Sequence, residues 1–153
     1  MKKHILLIDN NKDQLAIFMA ALREIQGDFN CTYAGSSEQA LEMLEYIQPD
    51  FIFVANNLPH VNGLQIMSVI RNEPALERCK VYIYTEIVSE EISKMAELLG
   101  ASGCIENSEE ISWLTHLFKA IFDGQLMPRF AILRNPAQSE RRQLKSDGRI
   151  IFV

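Results

Sequence analysis

Five short apolar runs alternate with five segments of helical periodicity, and this alternation restricts the possible fold more than any other feature of the chain. The apolar runs are Ile5–Ile8, Cys31–Ala34, Phe51–Ala55, Val81–Thr85 and Gly103–Ile105. In the segments that follow them, apolar residues recur at intervals of three and four, which predicts amphipathic helices. Strands and helices in this order predict βαβ units, and therefore a parallel sheet with right-handed crossovers.

The third apolar run is the reference point for the predicted site. Its four consecutive apolar residues, Phe51 to Val54, are typical of a central strand that is buried on both faces. Pro59 and the two asparagines before it favour a turn, so the strand should end near Ala55. Chemistry in an open parallel sheet is found beyond the carboxyl ends of the strands. The residues that the topology should bring together there are Asp9, Asn10, Ala55, Thr85 and Asn107.

The composition is that of a single globular domain. Of the 153 residues, 48% are hydrophobic and 23% charged, and no apolar run approaches the length of a membrane span. The first residues resemble no cleavable signal peptide, so a cytoplasmic location is expected. Cys31, Cys79 and Cys104 lack the spacing of metal ligands, and we expect them to be small buried hydrophobic residues in a reducing compartment.

The charge divides the chain into a body and an extension. Residues 129–153 contain six basic and two acidic side chains, whereas the first 128 residues contain nine and eighteen. We therefore predict a domain over residues 1–124 and a basic extension over 125–153, which is too short for a typical output domain. Its apolar runs, Phe130–Leu133 and Ile150–Val153, predict a strand that pairs with a sheet edge of this molecule or of a partner. The arginines show no helical or aromatic pattern, so nucleic-acid binding is not expected.

The order and spacing of these features, over residues 2–124, resemble the receiver domain of response regulators. The landmarks are Ile5 to Asp9, Pro49 to Pro59 with Asn62-Gly63, Val81 to Thr85, and Gly100 to Gly103. The resemblance implies a CheY-like, flavodoxin-like (βα)5 fold, a doubly wound parallel sheet of strand order 2-1-3-4-5. It also implies signalling in a two-component system or phosphorelay, in which a histidine kinase phosphorylates an aspartate.

The resemblance implies a role for each residue at the predicted site. The two metal-binding acids of the family correspond to Asp9 and Asn10, and Asn57 also falls at a metal-ligand position. The phosphoacceptor corresponds to Ala55, the hydroxyl position to Thr85 and the lysine position to Asn107. Phosphoryl transfer depends on positioning and charge neutralisation, so we expect a degenerate member without conventional aspartyl phosphorylation. We expect no bound Mg²⁺, because Asp9 alone supplies too little charge.

Several alternatives remain open for these side chains. Asp9 could bind a metal weakly or accept a phosphoryl group, but we favour a structural role in which it caps the first helix or bonds to Thr85 or Asn56. The asparagines could line a polar pocket, although turn formation explains them more simply. Thr85 would be functional only beside an anion.

Two classes of function follow. The first is a single-domain, non-enzymatic signalling protein that acts by protein contact, with a histidine kinase, another signalling protein or a second copy as its partner. The family's usual interaction face would include Ile92, Met95, Cys104, Ile105 and Trp113. The alternative is a phosphate- or nucleotide-binding protein or enzyme on a flavodoxin-like fold, but no glycine-rich loop follows the first strand.

Overall fold

The computed structural model describes residues 2–125, 129–137 and 150–152, and its centre is a seven-stranded sheet. The strands are β1 (Lys3–Ile8), β2 (Phe29–Ala34), β3 (Phe51–Ala55), β4 (Lys80–Thr85), β5 (Gly103–Glu106), β6 (Ala131–Arg134) and β7 (Ile150–Phe152). The helices are α1 (Lys12–Arg23), α2 (Ser37–Met43), α3 (Gly63–Arg71), α4 (Glu90–Leu98) and α5 (Ile111–Phe122), with a short 3₁₀ helix at Pro74–Leu76.

The strand order is β2-β1-β3-β4-β5-β6-β7, and every neighbouring pair is parallel. The α/β architecture agrees with the sequence prediction, but the predicted order of five strands was incomplete. Two further strands follow β5, because the apolar runs beyond residue 124 pair with the sheet of this same molecule. One sheet therefore contains strands from both sides of the boundary that was predicted at residue 124. Most of the basic residues of the extension lie in 138–149, outside the described residues.

Polar side chains at the helix starts explain where the helices begin. Asn11 accepts hydrogen bonds from the backbone of Asp13 and Gln14 at the start of α1, and Ser36 and Ser89 cap α2 and α4 in the same way. Asn62 and Gln65 form a reciprocal capping box at α3. Each cap satisfies backbone N–H groups that have no partner within the helix.

An aromatic cluster fills the core between the sheet and the helices α1 and α5. Phe18 of α1 contacts Tyr84 of β4 and Phe118 of α5, with ring centroids 4.6 and 5.2 Å apart. Phe53 of β3 lies 5.1 Å from the Phe118 ring. These rings are almost completely buried. The packing determines the position of Tyr84 and hence the direction in which its hydroxyl points.

The close approach of β6 to β5 depends on Gly103. A Cβ at this position would lie 2.6 Å from the Ala131 carbonyl oxygen and 3.2 Å from the Tyr82 ring. No side chain fits between these groups without displacement of the strand, so glycine permits the pairing of Gly103 with Ala131. The crossover from β5 to β6 contains α5, which also contacts α1.

The cysteines behave as small hydrophobic residues, as predicted. All three are free; Cys79 and Cys104 are buried, and Cys31 is partly buried. Burial raises the pKa of Cys79 and of Cys104 to about 12, and that of Cys31 to about 11. Their thiols are therefore protonated and weakly nucleophilic near neutral pH.

Candidate functional site: the cleft at the carboxyl edge of the sheet

The loops that follow the strands form one open, polar cleft at the carboxyl edge of the sheet, with a volume of about 1380 Å³. The five site positions predicted from the sequence, Asp9, Asn10, Ala55, Thr85 and Asn107, all line it, as does Asn57. The strand topology explains this, since parallel strands end at the same edge. Ser108 and Glu110, which follow β5, also line the cleft, and Asn135 brings the segment after β6 into its wall.

Ala55 ends β3 and offers only a methyl group to the cleft. It is 6% exposed and pairs in register with Tyr84 of β4. The following loop folds back tightly over this strand end, and the Gly63 N–H donates to the Asn56 carbonyl oxygen over 3.1 Å. A Cβ on Gly63 would lie 2.6 Å from the Ala55 carbonyl oxygen, so only glycine permits the approach.

Asp9 is the buried acid of the cleft, and its two carboxylate oxygens already have partners. The Tyr84 hydroxyl donates to Asp9 Oδ2 over 2.5 Å, and the Asn11 backbone N–H donates to Oδ1 over 2.9 Å. Asp9 is 3% exposed. The helix cap expected at Asp9 is Asn11 instead, and the contacts described for Asp9 are to Tyr84 and Asn11 rather than to Thr85 or Asn56. A cation approaching Oδ2 would have to displace a buried phenol.

The hydroxyl of Tyr84 is held in its neutral form. Burial, and then the negative charge of Asp9 and the hydrogen bond to it, raise the pKa of Tyr84 well above its usual range. A neutral phenol beside a carboxylate forms a charge-assisted hydrogen bond, which is stronger than a bond between neutral groups. This contact was not predicted from the sequence, where Tyr84 stood only as a strand residue.

Replacement of Tyr84 by Phe is expected to lower the free energy of unfolding by about 1.5–3 kcal/mol, because Asp9 loses a buried hydrogen bond to its charged oxygen. Urea denaturation at neutral pH measures this change. The wild type should also lose stability above about pH 10, since unfolding releases a tyrosine that ionises more easily. The Tyr84→Phe variant should lose less stability over that pH range. Tyr46→Phe, at a side chain that is 82% exposed, should behave as the wild type does. An unchanged stability in Tyr84→Phe would contradict the contact.

The rest of the cleft is rich in acceptors and poor in positive charge. In the part of the chain that the structure describes, Lys12 is the one cationic residue among its lining, against the acids Asp9, Glu86, Glu109 and Glu110. The side-chain oxygens of Asn56 and Asn107 are buried and make no hydrogen bond within the described residues. Within residues 2–125, 129–137 and 150–152, no group of three or more His, Cys, Asp or Glu side chains is arranged to hold a metal ion.

Beside the cleft, at the ends of β5 and β6, lies a buried ion pair that the sequence analysis missed. Glu106 Oε2 lies 3.0 Å from Arg134 Nη2, and their side chains are 2% and 6% exposed. Asn135, the next residue, donates to Ser108 Oγ over 3.1 Å and to Glu110 Oε2 over 2.8 Å. The sequence indicates this pair only by an acid and a base at the ends of two apolar runs. That pattern becomes informative only once β5 and β6 are known to be neighbours.

The interaction face named from the sequence is partly covered. Cys104 and Ile105 are fully buried and Trp113 is 6% exposed, and β6 occupies the edge of β5 that a five-stranded sheet would leave open. Ile92 is partly buried and Met95 is 42% exposed. The exposed apolar residues on this side of the molecule are therefore those of α4 and of the loop before it: Ile87, Met95 and Leu98.

Comparison with known proteins gives consistent matches. The sequence profile of the response regulator receiver domain matches residues 5–119. The chemotaxis response regulator CheY4 of Vibrio cholerae superposes with a TM-score of 0.70 at 16% identity, over 79% of this chain and 99% of that one. The phosphorylated cyanobacterial phytochrome response regulator RcpA gives 0.71 at 22% identity, over 83% and 96%. A two-component response regulator from Clostridium difficile gives 0.69 at 23% identity, over 80% and 98%.

The matched span and the added strands do not coincide. The profile ends at residue 119, within α5, so β6 and β7 lie beyond it. No helix among the described residues is long and apolar enough to cross a bilayer.

Proposed function

The chain belongs to the response regulator receiver family, and on this premise we propose that it is a degenerate member that signals by contact with a protein partner, without conventional aspartyl phosphorylation. The family is one of generally non-enzymatic signalling domains of two-component systems. The observation that carries the proposal is the pair Ala55 and Asp9. A methyl group stands where the family has its phosphoacceptor, and the neighbouring acid accepts a hydrogen bond from Tyr84.

Charge supports the same conclusion. An incoming phosphoryl group needs cations or N–H donors around its oxygens, whereas, among the residues that the structure describes, one lysine and four carboxylates line the cleft. The position of the family's lysine is occupied by Asn107. Mg²⁺ prefers anionic oxygen ligands, and of the two acid positions only Asp9 keeps its charge. We therefore propose that the protein binds no Mg²⁺ here, and the same excess of carboxylates disfavours a phosphate or nucleotide ligand.

We place the partner surface on α4 and the loop before it. Ile87, Met95 and Leu98 are 58%, 42% and 80% exposed. Met95 and Leu98 are three residues apart on one helix and so lie on the same face, and partly buried Ile92 precedes them. Exposed apolar side chains that cluster in this way are typical of protein-binding surfaces. A histidine kinase, another signalling protein or a second copy of the chain would fit it.

Incubation of the protein with acetyl phosphate and Mg²⁺ tests the absence of phosphorylation. We expect intact-mass spectrometry to show no added phosphoryl group, because Ala55 offers no carboxylate at the end of β3 and the cleft has little positive charge. A receiver domain with the full set of acids, treated in the same way, is the positive control. A phosphoryl adduct that hydroxylamine removes would contradict the proposal, and peptide mapping would show whether Asp9 carries it.

A further inference from the structure

The loop between β4 and α4 is held at one residue, Val88, by side chains of two different strands. Val88 is 6% exposed. Its backbone N–H donates to Glu106 Oε2 of β5 over 3.0 Å, and its carbonyl oxygen accepts a hydrogen bond from Arg134 Nη2 of β6 over 3.4 Å. Both backbone polar groups of Val88 are therefore satisfied by side chains from outside the loop. Loop residues usually turn their backbone polar groups to water, so these two contacts define the loop position at Val88.

The two side chains that hold the loop also hold each other. Glu106 and Arg134 end their strands, and the preceding residues Ile105 and Leu133 are partners in the β5–β6 ladder. The two charged groups meet at 3.0 Å and both are almost completely buried. An unpaired charge at this depth would be strongly destabilising. The position of Glu106 therefore depends on Arg134, and that of Val88 depends on both.

We propose that Glu106 and Arg134 form a latch through which β6 fixes the conformation of the β4–α4 loop. The loop position is then set by a strand of the molecule itself rather than by chemistry at the end of β3. Arg134 acts as a positioning residue: it touches Val88 and orients Glu106, and it does not line the cleft.

The latch determines how the partner surface is presented. Ile87, whose side chain is 58% exposed, directly precedes Val88. Ser89, which caps α4 through a hydrogen bond from the Ile92 N–H, directly follows it. A fixed Val88 therefore fixes both the loop and the start of α4. This consequence rests on the proposed function, whereas the latch itself can be tested on the protein alone.

Amide hydrogen exchange measured by NMR on the full chain tests the latch. In the unsubstituted protein we expect the Val88 amide to exchange at least about a hundredfold more slowly than that of its neighbour Ile87, because it is buried and hydrogen-bonded. This comparison needs no variant. Equal rates at the two residues would overturn the proposal.

The variant Glu106→Met/Arg134→Met removes the latch without leaving an unpaired buried charge at its site, so the domain should remain folded. We expect the Val88 amide to exchange at least about tenfold faster than in the wild type, since it loses its acceptor. Amides in the centre of β1 and β3, such as Leu7 and Phe53, should change by less than about threefold. If the Val88 exchange rate changed no more than the rates of Leu7 and Phe53, the latch proposal would be overturned.

Arg71→Met is the matched control. Arg71 also binds backbone carbonyls, those of Gly100, Leu76, Glu77 and Cys79, but at the amino end of β4. Its loss should leave the exchange rate of the Val88 amide unchanged relative to the amides of β1 and β3. If Arg71→Met accelerated Val88 exchange as much as the double variant does, a local latch would be contradicted. No phosphodonor or partner is present in these measurements, so their outcome is independent of the phosphorylation test.

Discussion

Arg134→Met is expected to lower the free energy of unfolding by about 3–5 kcal/mol, because it leaves a buried carboxylate without its cation. Glu106 is 2% exposed and Arg134 is its partner at 3.0 Å. The Val88 carbonyl oxygen loses a donor in the same step. Urea denaturation followed by circular dichroism gives the change directly.

Two further variants separate the ion pair from other effects. Glu106→Met/Arg134→Met should recover most of the loss, since two apolar side chains of similar volume replace the pair without an unpaired charge. Lys94→Met removes an exposed ion pair, Lys94 to Glu90 at 2.8 Å, whose side chains are 57% and 68% exposed. That change should stay within about 0.5 kcal/mol. A loss below about 1 kcal/mol in Arg134→Met would mean that the buried pair does not form in solution.

Ala55→Asp is expected to make the stability of the protein respond to Mg²⁺, which that of the wild type should not do. The substitution places a second carboxylate beside Asp9 in the cleft, and without a cation the two acids should lower the free energy of unfolding by about 1–3 kcal/mol. Mg²⁺ that binds only the folded variant should then restore stability, by about 1.4 kcal/mol at ten times its dissociation constant. Thermal or urea denaturation with and without Mg²⁺ measures both effects.

Ala55→Asn is the matched control, because it has the same size without the charge and should respond to Mg²⁺ no more than the wild type does. The addition of Tyr84→Phe to Ala55→Asp should strengthen the response, since it frees Asp9 Oδ2. Stabilisation of the wild type by Mg²⁺ would contradict the proposal that the cleft binds no metal. A weak response of Ala55→Asp that does not improve without the Tyr84 hydroxyl would contradict the blocking role of that contact.

The βα units could be predicted from sequence because local patterns determine them. Apolar runs such as Ile5–Ile8, and turn residues such as Pro59 and Gly63, act over a few residues, and parallel topology follows from their alternation. The same reasoning places Ala55, Thr85 and Asn107 at one edge, where they are found. The apolar run Phe130–Leu133 likewise predicted a strand, and its pairing within the molecule is confirmed.

The contacts that define the site could not be predicted, because they depend on side-chain reach between distant segments. The hydrogen bond from Tyr84 to Asp9 requires a particular packing of the tyrosine ring against Phe18. The pair Glu106 and Arg134 requires the β5–β6 register, across a crossover of 24 residues between the bounds of the two strands. Cys104, Ile105 and Trp113 were assigned to a surface from the resemblance alone, whereas their burial depends on packing that no local pattern shows.

The covalent link through α5 gives β6 a competitive advantage at the edge of β5. A strand tethered to its own binding site faces that site at a high effective concentration, which the length and stiffness of the connection set. A peptide that tried to pair with β5 from another molecule would have to exceed this concentration, and would also have to replace the ion pair between Glu106 and Arg134. Exchange of β6 between copies is thereby disfavoured, and the edge of β5 is closed to a strand from another protein.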